Sequence, residues 1–576
     1  MKDRKIISII KEYRREHNIL YREVKLIMKW HIARTTGHPD WLRILDIDRT
    51  MWNAALGASK QGPKILIGTS IGQYSAGTTL ESVLAAALTL RGADVHVLLC
   101  DSFLPACLAC DFTWYPNQEK FAKHGPRKDI CKHCFQPAST LFESLGVTVH
   151  RYSKLVTLDE QQRAEYVSAT IPSNEIPEFV LDGCVVGEHA LAGTLRFYAR
   201  CTLDGEPYAD QILRRYFKAA LLTTYAVRKL LKKISFQAAV FHHGIYVPQG
   251  LIGEVARQEK VRVVNWNPAY RKKHFIFSHN DTYHHTLMSE PIDKWENIEW
   301  SPKIEFNLLN YLKSRWQGSQ DWIWFHERPN FDLTDIANEI GIDFSKPCIG
   351  MLTNVMWDAQ LHYPRNAFPN MLEWVLQTIA YFAKRPELNL LIRVHPAEIH
   401  GTLPARQSIM AEIKKVFPEL PKNIFIIPPE SHVSTYVAMS QCDSVIIYGT
   451  KTGVELASTG IPVIVAGEAW VRNKGITLDA SSIDEYINLL DHLPLKERMS
   501  ETKIQRARKY AYHFFFRRMI PLEFIEPAGK NKNPPYYVKI SNLGQLLPGR
   551  SNGLDVICNG ILNGDDFIYP AEKFDI

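Results

Sequence analysis

Short apolar runs alternate along most of this chain with longer stretches whose apolar residues recur at every third or fourth position. KILIGTS (64–70) and ADVHVLLCD (93–101) read as strands, and GQYSAGTTLESVLAAALTLRG between them reads as a small-residue loop running into a helix. Strand, helix and strand in that order form the unit of a parallel, doubly wound sheet. AAVFHHGIYVPQGLIGEVARQEKVRVVNW (238–266) repeats the theme, after a long helical region from Asp210 to Lys233.

A second such series begins at Cys348. CIGMLTN predicts a strand, and FPNMLEWVLQTIAYFAKRP a helix with Phe368, Leu372, Val375, Ile379 and Phe382 on one face. LNLLIRV, NIFIIPP, SVIIYGT and PVIVAG follow as short apolar strands bounded by turn residues. The fold class expected is therefore α/β, with two Rossmann-like domains facing a cleft. Residues 1–60, rich in alternating apolar and basic positions, predict an N-terminal helical arm packed on the body, with contact to the inner membrane surface as the alternative. The first domain is expected over 61–300, the second over 301–515, and a C-terminal extension over 516–576, with the acidic and aromatic stretch Ile292 to Asn338 as the connection.

Composition narrows the classes. The chain has 576 residues, 46% hydrophobic and 22% charged, enough for two large cores. Its net charge of +7 is spread without any long Lys/Arg block, so no nucleic-acid partner is expected. Nothing near Met1 resembles a signal peptide, no apolar run reaches the ~20 residues that span a bilayer, and ten cysteines are too few for a disulfide scaffold. A cytoplasmic protein is expected, with peripheral contact to the inner membrane face or a polysaccharide assembly complex.

Four of the cysteines are clustered. Cys107 and Cys110 form one C-x-x-C, Cys131 and Cys134 another, inside an insertion at 105–136. Two such pairs can complete a tetrahedral shell, so a structural Zn²⁺ is predicted, with an iron–sulfur cluster as the lesser reading.

The strand ends carry the remaining chemistry, since ligands of open parallel sheets bind beyond the carboxyl ends of strands. LIRVHPAEIH ends an apolar run in Arg393, His395, Pro396 and Glu398. Tyr448, Gly449, Thr450, Lys451, Thr452 and Gly453 form a small-residue turn into a helix, a natural anion site, with Glu455 one turn further for sugar hydroxyls. In the first half, VFHHGIYVPQG places His242 and His243 at a strand end; His243 is the candidate general base, with Glu254 to orient it or bind acceptor and Asp358 as a further candidate. Gly72, Gln73, Tyr74 and Ser75 line the acceptor side of the cleft.

LTNVMWDA, IRVHPAE and VIIYGTKTGVELASTGIPVIVAGEAWVRNKG together resemble the capsule polysaccharide biosynthesis family, which includes Kdo-type transferases of GT-B architecture. The resemblance spans roughly Cys348 to Thr477. It implies that His395, Pro396, Thr450 and Thr452 hold the phosphate of a nucleotide-sugar donor. The expected activity is metal-independent transfer of a sugar to a glycan hydroxyl in capsular or surface polysaccharide biosynthesis. A nucleotide-sugar epimerase or hydrolase, or a non-catalytic glycan-assembly protein, are the alternatives on the same frame.

Overall fold

The computed structural model describes residues 37–317, 320–322, 329–359, 363–495, 497–529 and 535–574. Most of the expected N-terminal arm lies outside these residues. Its described part forms two helices, Trp41–Ile47 and Arg49–Ser59, and Trp41 and Trp52 are buried. The Trp41 indole N–H donates to Ser82 Oγ at 3.1 Å, fastening this segment to the body.

Two α/β units follow. The first is built on a seven-stranded sheet. Its strands are β1 (Lys64–Ser70), β2 (Asp94–Leu99), β3 (Thr148–Arg151), β6 (Ala238–His242), β7 (Arg262–Pro268), β8 (His274–His279) and β15 (Ile520–Pro521); β4 (Val180–Leu181) and β5 (Cys184–Val185) make a small separate hairpin. The order is β15-β8-β7-β6-β1-β2-β3, parallel from β7 to β3, with β8 and β15 antiparallel at one edge. β1 and β2 are covered on both faces, which is why they read as unbroken apolar runs rather than alternating ones. The helix Ser75–Leu90 is buried from Ala76 to Thr89, matching its nearly all-apolar and small composition.

The second unit holds β9 (Cys348–Leu352), β10 (Asn389–Arg393), β11 (Ile424–Ile427), β12 (Ser444–Ile447), β13 (Val463–Val465) and β14 (Leu478–Asp479) in the order β11-β10-β9-β12-β13-β14, all parallel. Its long helix, Met371–Phe382, buries Met371, Trp374, Val375, Thr378, Ile379 and Phe382. Phe368 precedes the helix and is buried, and Leu372 is only partly covered, so the predicted face holds at Val375, Ile379 and Phe382 and is widened by Met371, Trp374 and Thr378.

After β14 the chain returns to the first unit. Ile520–Pro521 pairs with Phe275 and His274 at the open edge of β8, and the helix Asn552–Asn563 packs behind it. Gly553 permits that approach, because a Cβ there would lie 1.7 Å from the Pro521 carbonyl oxygen. Polar contacts also tie the units directly. The Cys201 N–H donates to Gln407 Oε1 at 2.9 Å, Arg406 pairs with Glu206 at 2.9 Å, and the Lys474 ammonium donates to the Glu290 carbonyl at 2.7 Å. Among the described residues, no helix is long and apolar enough to cross a membrane.

Candidate functional site

Each sheet has one point at which strand order reverses, between β1 and β6 in the first and between β9 and β12 in the second. Loops leaving such a pair of strands in opposite directions open a crevice. The loops here are Ser70–Ser75 and His242–Pro248 on one side, and Thr353–Asp358 and Tyr448–Thr452 on the other. Tyr246 and Asp358 bring the two sides together: the Tyr246 hydroxyl donates to Asp358 Oδ1 at 3.1 Å and accepts the Ala359 N–H at 3.0 Å.

His395 sits immediately beyond β10. Its backbone N–H donates to Thr353 Oγ1 at 3.1 Å, and its Nδ1 accepts the Ala397 N–H at 3.1 Å. That second bond selects the tautomer with the proton on Nε2. Burial, with help from Lys451 and Arg393, pushes the imidazole down to about 3, so it is neutral at physiological pH. Pro396 is buried behind it and starts the turn Ala397–His400.

Arg393 and Glu398 do not join His395 at the crevice. The Arg393 guanidinium is 2% exposed and donates to the carbonyls of Pro428 and Ser431 and to Thr435 Oγ1, stapling the segment that follows β11. Glu398 is buried and accepts the Ile409 N–H at 3.2 Å, fixing the loop between two helices. Both were expected to contact the donor; both are instead turned to backbone groups that would otherwise lack partners.

The turn after β12 is formed as predicted, and the helix Thr452–Ser458 follows it. Asn354 Nδ2 donates to the Gly449 carbonyl at 3.0 Å, linking the turn to the end of β9. Thr450 Oγ1 lies 3.3 Å from Thr452 Oγ1, so the two hydroxyls form one patch. Tyr448 is directed away, its hydroxyl donating to the Phe368 carbonyl at 2.8 Å. Glu455 is also withdrawn. It is bound by Arg315 at 2.9 Å, by Lys451 at 3.1 Å and by the Tyr436 hydroxyl at 2.6 Å. Burial acts to raise its carboxyl, but Arg315 and Lys451 prevail and hold it at about 2. In this structure Glu455 anchors Lys451, whose ammonium lies 5.0 Å from the Tyr270 ring centre.

On the first unit, His243 takes a left-handed backbone, φ 64°, and its N–H donates to the Trp266 carbonyl at 3.0 Å. Its Nδ1 is buried without a hydrogen-bond partner. Burial, then the Arg196 charge, lowers its pKa to about 3. His242 points elsewhere, its ring 4.4 Å from Tyr74 and 4.9 Å from Trp266. Glu254 is not beside His243. It accepts the Val185 N–H at 3.2 Å, pairs with Arg257 and lies 3.9 Å from His189, whose Nδ1 bonds the Ile245 carbonyl. It reaches the histidine loop only through His189, so the expected direct orientation of His243 is not found.

The loop Gly72–Ser75 is half-buried and rests on the cysteine-bearing helix Lys128–Ser144. The Gln73 N–H donates to Cys134 Sγ at 3.2 Å, and a Cβ on Gly72 would meet the Cys134 carbonyl at 2.1 Å. Cys107 Sγ and Cys110 Sγ are 4.0 Å apart. Among the described residues, no group of three or more His, Cys, Asp or Glu side chains is arranged to hold a metal ion. The second C-x-x-C lies within a helix rather than a knuckle turn, and the Cys134 sulfur accepts the Gln73 N–H.

Residues 346–508 match the family described as "Capsule polysaccharide biosynthesis protein". No curated protein matches the chain. Among solved structures, the beta Kdo 2,4 transferase of Thermosulfurimonas dismutans KpsC aligns at 12% identity, over 48% of this chain and 79% of that one, with a TM-score of 0.34. A UDP-GlcNAc 2-epimerase from Neisseria meningitidis aligns at 10% identity over 78% and 95%, with a TM-score of 0.22. The spinosyn rhamnosyltransferase SpnG aligns at 12% identity over 78% and 95%, with a TM-score of 0.23. Likenesses this distant fix no correspondence between site residues.

The capsule-family segment contains the whole second sheet and both of its strand-end motifs. It also supplies Trp470, which lies 5.6 Å from the His284 ring of the first unit and 5.7 Å from Tyr283. Tyr270, Tyr283, His284 and Trp470 were not anticipated. A second histidine doublet in DTYHHTL, echoing VFHHGIY, is the one sequence signal that points to them.

Proposed function

We propose that this chain is a glycosyltransferase of the two-domain GT-B type, moving a sugar from a nucleotide-activated donor to a hydroxyl of a growing capsular or surface glycan. The observation that carries this reading is the coincidence of the capsule-family segment with the unit whose reversal point gathers His395, Asn354, Thr450 and Thr452 at neighbouring strand ends. The donor phosphate lies on that patch. It takes hydrogen bonds from the His395 Nε2–H, the threonine hydroxyls and turn N–H groups, and its charge is balanced by Lys451.

The acceptor hydroxyl enters from the first unit. Its oxygen bonds to the anomeric carbon as the bond from that carbon to the phosphate oxygen breaks, the electron pair leaving with the phosphate. The proton passes to His243 at the end of β6. Fixed donors at the departing oxygen stabilise the charge that develops there. The reaction is proposed to need no divalent metal.

The test is a panel of nucleotide sugars, including CMP-linked acids, scored for thermal stabilisation of the protein and, with glycan acceptors and a chelator present, for product linkage by mass spectrometry and NMR. Stabilisation by one nucleotide class and chelator-resistant transfer are expected. Free epimerised or hydrolysed sugar as the only product would replace transfer by isomerisation or hydrolysis.

A further inference from the structure

The two histidine doublets divide in the same way. In the first, His242 is packed between Tyr74 and Trp266 while the His243 ring lies 5.0 Å from Tyr246 and 6.5 Å from His284. In the second, His285 Nδ1 pairs with Asp281 at 3.0 Å while His284 makes no hydrogen bond among the described residues. The His284 ring is partly open and lies 4.1 Å from Tyr283, 5.6 Å from Trp470 and 6.5 Å from His243, measured between ring centres. These positions put two uncommitted imidazoles side by side, one with a buried, unpartnered Nδ1, against an aromatic wall built by both units.

A ring spacing of 6.5 Å leaves room for one oxygen atom hydrogen-bonded to both rings at ordinary distances of about 2.7–3.0 Å. We infer that His243 and His284 grip the acceptor hydroxyl together, with His243 receiving its proton and His284 donating an N–H to a lone pair of the same oxygen. Tyr283 and Trp470 then offer an apolar face to the ring of the acceptor sugar. His284 keeps its own proton throughout; only the hydroxyl proton moves, to His243. A neutral imidazole suits both roles, since it carries one donor and one acceptor nitrogen. Burial keeps both rings neutral, each lowered to about 3.

This inference rests on the reading of the chain as a glycosyltransferase. The experiment compares wild type with His284→Ala, His284→Gln, His243→Ala and His243→Gln, using the donor and acceptor found by the panel. Donor binding by calorimetry, melting temperature and acceptor kcat/KM are measured for each. His284→Ala should lower acceptor kcat/KM by about 10- to 100-fold, the cost of one well-placed hydrogen bond in the transition state. Donor affinity should not move. Glutamine can donate an N–H but cannot serve as a base at neutral pH. His284→Gln should therefore recover most of the rate, whereas His243→Gln should remain about 10²–10⁴-fold down. Normal transfer by a well-folded His284→Ala protein would overturn the inference, as would equal loss in both glutamine variants. Where His284→Ala melts early, the glutamine pair decides alone. A wild-type protein that binds no nucleotide sugar would bring down the glycosyltransferase reading itself, and this inference with it; donor binding without any effect of His284 removes only the latter.

Discussion

Glu455 is ionised and almost wholly out of water, held by Arg315, Lys451 and Tyr436. Removing its charge leaves the buried Lys451 without its carboxylate and Arg315 with Asp321 alone, and breaking a buried pair in this way costs about 3–5 kcal/mol. Glu455→Gln should thus lower the denaturation midpoint strongly, read by chemical unfolding. His395 makes the opposite prediction. A lost charge-assisted bond to phosphate is worth about 1.5–3 kcal/mol. His395→Ala and Thr452→Ala should each cut donor-dependent rate by roughly 10- to 150-fold, with melting unchanged. Because both serve one phosphate, the double variant should lose less than the product of the two factors. The placement of His395, Thr450 and Thr452 at strand ends was legible because it follows from local pattern. The commitments of Arg393, Glu398 and Glu455 were not, because their partners come from the segments at 428–435, at 409, and at 315 and 436, which no local rule connects.

At the scale of elements, the glycines separate positions that tolerate a methyl group from those that do not. Gly553 opens the helix Asn552–Asn563 against the Pro521 carbonyl, and an alanine there must displace backbone. Gly553→Ala should destabilise by about 1–3 kcal/mol. Gly57, inside the helix Arg49–Ser59, has nothing within 4 Å of such a Cβ, and Gly57→Ala should be neutral or stabilising by up to about 1 kcal/mol. Urea midpoints of the two variants check the contrast. Strands were the most legible elements: KILIGTS is β1 from end to end, and the apolar runs of the second half each became a parallel strand. Strands buried on both faces announce themselves by composition. C-x-x-C spacing is shared by knuckle turns and by one turn of a helix, and the second pair lies in the helix Lys128–Ser144, which forms despite Pro137. The return of residues 520–574 to the first sheet leaves no local signature, since β15 is two residues long.

For the molecule as a whole, buried imidazoles set the response to acid. Burial lowers His243, His274, His284 and His395 to about 3, and His38 and His150 to about 4. The unfolded chain takes up these protons near its ordinary pKa of about 6.5, whereas the folded chain resists until far lower pH. Between those values the unfolded state binds more protons, so stability must fall as pH falls. Glu254, Glu290 and Glu455, each depressed to about 2 by neighbouring cations against the opposing effect of burial, add a further loss below the usual carboxylate range. The melting temperature should decline steadily from pH 7 to pH 4 in differential scanning calorimetry. A flat profile would mean that the imidazoles are hydrated and titrate normally.

The pairing of β15 with β8 also sets an order of events during synthesis. A ribosome adds about 5–20 residues per second, so the strand that closes the β8 edge emerges on the order of 10–50 s after β8 itself. In that interval the second unit is made and has time to fold, while the first keeps an open row of backbone donors and acceptors, the usual template for mispairing. A chain whose translation stops before residue 520 would keep that row open. Completion of the first sheet is therefore a late checkpoint, and interrupted products would be marked for aggregation or disposal by the edge they fail to cover.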